Sequence, residues 1–222
     1  DGIPGGIEKP RLFYYYLSKM ISIIVPVYNE KENIKELHGR IVKAMDSHGD
    51  AYEIIFVDDG SNDGTLEVMK TLKPLTIVSF QKNYGNTPAL DAGIQRAKGD
   101  ILAFLDADLQ NDPAEILLLL NQLKNGYDVA VGWRENRKDP LKRRLFSWFA
   151  NKAVHFILRS QIRDHGCALK VYKSRFIKDF RLCGSAQVFL PVIAKERGAR
   201  ICEVAVSHYP RQAGSSKINP VP

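Results

Sequence analysis

The sequence predicts an α/β fold, a mostly parallel central sheet flanked by helices. Two observations carry that prediction. From Ile21 onward, short apolar runs alternate with stretches of helical periodicity, the pattern of strand–helix–strand crossovers. Several of those runs also end abruptly in acidic or polar residues, as strands do when their carboxyl ends face a ligand.

Residues 21–28 read as a buried strand, being apolar almost throughout. A helix follows over 29–47, with Asn29 as its cap and Ile34, Leu37, Ile41 and Met45 recurring on one face. Residues 52–57 are the second strand, and 63–72 a short helix carrying Leu66 and Met69. The third strand is 75–80, followed by a helix over 87–97 with Gly99 as its stop. The fourth strand is 101–105, and the helix 113–124 opens on proline, which suits a first turn. Residues 128–133 are the fifth strand. The pattern then changes. Residues 134–140 are polar, 141–158 read as an amphipathic helix, 167–172 as a strand, 185–197 as a helix and 201–206 as the last strand.

The chain has 222 residues, 45% hydrophobic and 26% charged, enough for one packed domain and too ordinary for disorder. No apolar run approaches the roughly 20 residues of a membrane-spanning helix. Three scattered cysteines, Cys167, Cys183 and Cys202, lack metal-site spacing and leave an odd count, so a reduced compartment is the default. Residues 1–19 differ from the rest. They are turn-rich at first, then carry Tyr14, Tyr15 and Tyr16 without a period, and Met20 directly precedes a strand. They read as an appended leader or as an N-terminal arm. The net charge of +7 is uneven: residues 1–110 hold 12 basic and 16 acidic side chains, residues 111–222 hold 20 and 9. The second half therefore has the charge to meet an anion.

The chemistry gathers at strand ends. Asp106, Asp108 and Gln110 follow the fourth strand, Asp58 and Asp59 the second, and Tyr28, Asn29 and Glu30 the first. A carboxylate pair one residue apart suits a hard divalent cation that shares its other positions with substrate phosphates. The plainer reading is turn aspartates capping a strand, but three such clusters in succession favour a site. No glycine-rich phosphate loop is present, so a diphosphate here would need a metal rather than backbone amides.

The motifs PVYNE at 26–30, VDDGS at 57–61 and DADLQ at 106–110 resemble those of family 2 glycosyltransferases of the GT-A fold. GWRENRKDP at 132–140, DHGCALKVY at 164–172 and HYPRQAGSSK at 208–217 are similar to the polyprenyl-phosphate branch, the dolichol-phosphate mannose synthase type. The likeness covers about residues 20–217 and makes that span one catalytic domain. Its nucleotide-sugar half would be 20–133 and its acceptor half 134–217, with 218–222 a tail before a membrane-associated segment. It implies that Pro26, Tyr28, Glu30, Asp58, Asp106, Ala107 and Asp108 hold a GDP- or UDP-linked sugar. Mg²⁺ or Mn²⁺ would sit on Asp106, Asp108 and Gln110, neutralising charge on the departing diphosphate. Arg134, Arg143, Ser147, Arg211 and Lys217 would bind the acceptor phosphate, since guanidinium forks grip phosphate oxygens in pairs.

The implied activity is inverting transfer of a hexose to a polyprenyl phosphate, as with GDP-mannose and dolichyl phosphate. The alternative is a UDP-sugar, with undecaprenyl phosphate or a saccharide as acceptor. An ionised phosphate needs little help from a base. Asp164 either orients acceptor or sugar, acts as a weak base, or caps the next strand, and Asp106, Asp108 and Asp164 are the catalytic candidates. His165 reads as a surface imidazole and Cys167 as packing. Arg137, Lys138 and Arg144 either press on anionic lipid or form a solvated face. The implied place is the cytoplasmic face of a membrane, peripherally bound or anchored by a segment outside this chain. One departure stands out: Gln187-Val188 replaces the His-Arg pair of relatives. A non-catalytic binder would normally have lost the carboxylates. A nucleic-acid binder lacks an aromatic platform among its basic residues.

Overall fold

A computed structural model of the chain describes residues 19–134 and 162–211. Among them a single seven-stranded sheet runs in the order β3-β2-β1-β4-β6-β5-β7. The strands are β1 (Ile21–Val27), β2 (Tyr52–Asp58), β3 (Thr76–Ser79), β4 (Ile101–Phe104), β5 (Val129–Arg134), β6 (Lys170–Lys173) and β7 (Ile201–Val206). The pairs β1–β2, β2–β3, β1–β4 and β5–β7 are parallel. β6 alone runs the other way, antiparallel to both β4 and β5. The mostly parallel sheet expected from the alternation is present, with one reversed strand inserted.

That reversal matters for the site. Phe104, the last residue of β4, and Val131, midway along β5, each pair with Lys170, so the first residue of β6 lies at the rim where β4 ends. The other end of β6 reaches the opposite rim, where Lys173 pairs with Ile101.

Two hydrophobic layers sandwich the sheet. On one side α1 (Ile34–His48) and α4 (Ile116–Lys124) pack Ile34, Leu37, Ile41, Met45, Ile116, Leu119, Leu120 and Leu123 against Ile21, Ile23, Phe56 and Ala103. On the other, α3 (Asn86–Arg96) and α5 (Leu190–Glu196) bring Ala89, Leu90, Ile94, Leu190 and Ala194 against Ile24, Ile55, Leu102 and Tyr172. Each fully buried side chain of this kind contributes about 1.5–3 kcal/mol. Gly93 marks the closest approach of α3 to the sheet, where a Cβ would stand 2.3 Å from Ile24 Cγ2.

Several boundaries differ from the sequence expectation, each for a physical reason. The first helix begins at Ile34 rather than Asn29. Asn29 adopts a left-handed φ of 53° and ties two loops together: its N–H donates to Ser61 Oγ and its Oδ1 accepts from Asn62 N. The second helix, α2, shrinks to Thr65–Met69, entered through Gly64 in a left-handed conformation. β6 starts at Lys170 rather than Cys167, because a turn at His165–Gly166, closed by Cys167 N donating to Asp164 O, leads into an irregular stretch over 167–169. The helix expected over 185–197 splits into a 3-10 turn, Ala186–Phe189, and α5, with Pro191 in its first turn. The expected helix 141–158, the polar segment 135–140, the leader and the tail lie outside the described residues. Among the described residues, no helix is long and apolar enough to cross a membrane.

Candidate active site

The chain steps outward from β1 to β2 to β3, then returns to place β4 on the other side of β1. The crevice between β1 and β4, outside their carboxyl ends, is where open α/β sheets bind ligands. A cleft of about 390 Å³ opens there. Pro26, Tyr28 and Glu30 line it from the end of β1 and the turn beyond, Asp59 from just after β2, Asn83 from the loop after β3, Asn86 from the start of α3, and Asp106, Ala107 and Asp108 from the turn after β4. Arg211 closes one side.

The carboxylates of this cleft are held very differently. Asp108 Oδ1 accepts from Gln110 N at 3.2 Å and its Oδ2 from Arg211 Nη2 at 2.8 Å. Arg211 Nη1 donates in turn to Glu30 Oε1 at 3.0 Å, while Glu30 Oε2 accepts from Asn33 Nδ2 at 2.7 Å. Asp106 accepts no hydrogen bond among the described residues. Burial, and then the charge of Asp108, push its pKa up to about 6, although Arg134, Lys170 and Arg211 pull the other way. The turn beyond it places buried Leu109 at a left-handed φ of 59°, a conformation costing about 1 kcal/mol and held by packing in the core.

This donor set fits a divalent cation. Asp106 and Asp108, two carboxylates on one turn, supply the hard oxygens that Mg²⁺ or Mn²⁺ takes alongside phosphate oxygens, while the Gln110 side chain lies off the cleft lining and donates from Nε2 to Tyr209 O at 3.3 Å. Arg211 marks the same need: a guanidinium already stands between Glu30 and Asp108 as counter-charge.

Asp58, expected to hold the nucleotide, does not face the cleft. It is buried, with Oδ1 accepting from Ser61 N at 3.1 Å and Oδ2 from Ser79 Oγ at 3.0 Å. Its neighbour Asp59 lines the cleft instead and fixes the far wall, accepting from Tyr84 N at 2.7 Å and Gly85 N at 2.8 Å. Burial raises the pKa of Asp59, the two amides lower it, and the charge of Asp58 raises it again, for a net upward shift. Gly60 lets the two loops close: at φ 72°, a Cβ would lie 2.4 Å from the Lys82 carbonyl carbon.

The second half contributes a bidentate ion pair. Arg134 Nε donates to Asp164 Oδ2 at 2.7 Å and Nη2 to Oδ1 at 2.9 Å, and Gly166 N adds a further bond to Oδ1 at 3.2 Å. A carboxylate so engaged orients its neighbours, and that geometry suits positioning better than proton abstraction. His165 is buried rather than on the surface, with Nδ1 3.3 Å from Val188 O, so that nitrogen is assigned the proton. Cys167 is packing, as expected: burial pushes its thiol up to about 12. Lys170 is buried and donates from Nζ to His165 O at 3.0 Å. A smaller cavity of about 80 Å³ continues from the cleft past Asp106 to Lys170, His165, Gln187 and Val188. Arg143, Ser147 and Lys217 lie outside the described residues.

Sequence reasoning thus named most of the cleft but missed Asn83, Asn86 and Lys170. Applying the strand-end rule to β3 would have found the two asparagines, which follow it beside Gly85.

A sheet-rim cleft with an Asp-x-Asp turn at its switch point defines the architecture of nucleotide-diphospho-sugar transferases. A solved structure with the same fold is glucosyl-3-phosphoglycerate synthase from Mycobacterium tuberculosis in complex with Mn²⁺, UDP and phosphoglyceric acid, at TM-score 0.70 and 20% identity. The match covers 87% of this chain and 72% of that one, and shows the GT-A fold. The same enzyme with Mg²⁺ and UDP matches at TM-score 0.70 and 18% identity, over 87% and 72% of the two chains. The glycosyl transferase family 2 model matches residues 22–182, and the chain belongs to that family. Among its relatives is dodecaprenyl-phosphate galacturonate synthase of Rhizobium johnstonii, 40% identical over 206 residues, covering 89% of this chain and 61% of the relative. Another is undecaprenyl-phosphate 4-deoxy-4-formamido-L-arabinose transferase of Edwardsiella ictaluri, 37% identical over 204 residues, covering 90% and 63%. The chain therefore spans somewhat less than two thirds of the length of these relatives.

Proposed function

We propose that residues 20–217 are the catalytic domain of a glycosyltransferase that moves a sugar from a nucleoside diphosphate, best UDP, onto a polyprenyl phosphate. The observation that carries this reading is the Asp106–Asp108 turn at the β1/β4 switch point, with a guanidinium already drawn to its carboxylate. The relatives support the lipid acceptor, because both carry polyprenyl phosphates in their names. They give no support to GDP-mannose, and the UDP alternative fits them and the UDP-bound structures better.

In this reading Pro26, Tyr28, Glu30 and Asp59 hold the nucleoside, with Asp58 acting from behind as the brace of its loop. Asp106, Ala107 and Asp108 meet the diphosphate end. A bound Mg²⁺ or Mn²⁺, held by Asp106 and Asp108, would neutralise charge on the departing diphosphate. Arg211 leaves Asp108 and joins Arg134, Arg143, Ser147 and Lys217 in binding the acceptor phosphate. That phosphate is ionised at neutral pH, so its oxygen attacks the anomeric carbon without a general base while the bond to the diphosphate breaks behind it. The configuration inverts. The lipid acceptor places the reaction at a membrane surface, and the cytoplasmic face is where nucleotide sugars meet it.

The test is direct. Purified protein in detergent is given undecaprenyl phosphate, a panel of UDP- and GDP-sugars, and Mn²⁺ or Mg²⁺. A lipid-linked sugar formed from a UDP donor supports the proposal. Transfer to free saccharides alone, or no nucleotide-dependent product with any donor, overturns it.

A further inference from the structure

The smaller cavity shares Pro26, Asn86 and Asp106 with the main cleft, so it opens directly off the point where a diphosphate would end. A sugar linked to that diphosphate has this cavity in front of it. The chemistry of its far wall is one-sided. Lys170, only 6% exposed, brings a buried ammonium whose single hydrogen bond among the described residues goes to His165 O. Two of its three N–H groups stay available. The Gln187 amide makes no hydrogen bond among the described residues and lines the same wall. Cys167 is a neutral thiol, and Asp106 is the one carboxylate on the lining.

A plain hexose presents hydroxyls, which pockets usually meet with carboxylates as well as donors. Beyond Asp106, which stands at the mouth shared with the main cleft, the far wall offers Lys170 and Gln187 as donors and no carboxylate side chain.

Resting on the reading of the cleft as a nucleotide-sugar site, we propose that this cavity receives the transferred sugar and selects one bearing a carbonyl-type oxygen. Lys170 and Gln187 are the residues that read it. Two sugar classes carry such an oxygen, a hexuronate through its carboxylate and an N-acylated amino sugar through its acyl group. Lys170 separates them, because a buried ammonium gains more from an ion than from a neutral carbonyl.

The experiment compares kcat/KM for a UDP-hexuronate, a UDP-N-acylamino sugar and UDP-glucose, with Mn²⁺ and undecaprenyl phosphate, in wild type, Gln187→Leu and Lys170→Gln. Binding of UDP alone is followed by calorimetry in each. The expected result is a preference of about 10-fold or more for one carbonyl-bearing class over UDP-glucose. Gln187→Leu lowers that ratio about 10-fold and leaves UDP binding unchanged. Lys170→Gln lowers it about 100-fold if the sugar is a uronate and about 10-fold if it is acylated. If Lys170→Gln does not fold, Gln187→Leu decides alone. Preference for UDP-glucose, or an unchanged ratio in Gln187→Leu, overturns the inference while the nucleotide-sugar reading stands. Failure of wild type to bind UDP overturns both.

Discussion

β6 carries a lysine at each end, and the two meet opposite fates. Lys173, at the rim away from the cleft, donates to Asp128 Oδ1 at 2.8 Å, joined by Arg175 Nη2 at 3.1 Å. Arg200 N takes the other oxygen at 3.0 Å. Burial pushes Asp128 up, but the bonds from Lys173 and Arg200 and the charges of Lys173 and Arg175 outweigh it, and the net shift is downward. Among the described residues, Lys170 Nζ at the cleft rim bonds a backbone carbonyl alone, and the nearby carboxylate Asp106 accepts no hydrogen bond and is shifted upward. One rim has settled its charges within the fold. The other keeps charge unsettled, which is the state a ligand can exploit.

The largest expected effect is on chemistry. Asp108→Ala should cut transfer by about 1,000-fold or more, the scale of losing one element of leaving-group stabilisation. Initial rates of lipid-linked product at saturating donor measure it. Turnover at the wild-type rate would place this rim on the same footing as the other.

Next comes the ion pair within the acceptor half. Asp164→Ala removes the bidentate partner of the Arg134 guanidinium, whose side chain is 11% exposed. Removing one partner of such a pair costs about 3–5 kcal/mol. For a chain of this size that lowers Tm by roughly 10 °C. A fall within 2 °C, by differential scanning calorimetry, would show that Asp164 serves the reaction and not the fold.

Asp128→Asn probes the settled rim. It should cost about 2 kcal/mol at pH 7, the scale of hydrogen bonds to a charged group. The sign with pH follows from the downward shift. The stability Asp128 supplies is present above its unfolded pKa, near 3.8, and is lost as pH falls through the lower folded value. Urea midpoints of wild type and variant should therefore converge below about pH 4. A gap that persists in acid would mean that shape rather than charge is at work.

These contrasts also explain what the sequence disclosed. Ile21, Ile23 and Phe56 declare their strands by being apolar, and Ile34, Leu37, Ile41 and Met45 declare a helix face, because burial leaves a period in composition. Strand direction leaves none. The run before Tyr172 reads the same in either sense, so the reversal of β6, and with it the delivery of Lys170 to Asp106, was invisible. Asp58 and Asp59 show the same limit at the scale of one residue. Successive side chains at a strand end point opposite ways, and only the register decides which meets the cleft. Asn29 was misread because its cap chemistry serves equally well to pin one loop to another.

The smallest effect is the most diagnostic, since its sign is opposite to that at Asp128. With a folded pKa near 6 against 3.8, Asp106 binds more protons folded than unfolded, so its ionisation opposes folding as pH rises through that window. Asp106→Asn removes the penalty. A shift of that size corresponds to about 3 kcal/mol at most, and solvent reaching the cleft reduces it to about 1 kcal/mol. The variant should melt roughly 3 °C higher than wild type at pH 7, and the difference should vanish below about pH 4. UDP with Mg²⁺ should then reverse the order, because a ligand that settles the rim stabilises wild type by mass action and the variant much less. If Asp106→Asn is instead the less stable protein at pH 7 without ligand, the carboxylate is already satisfied by the fold, and the two ends of β6 differ in position rather than in purpose.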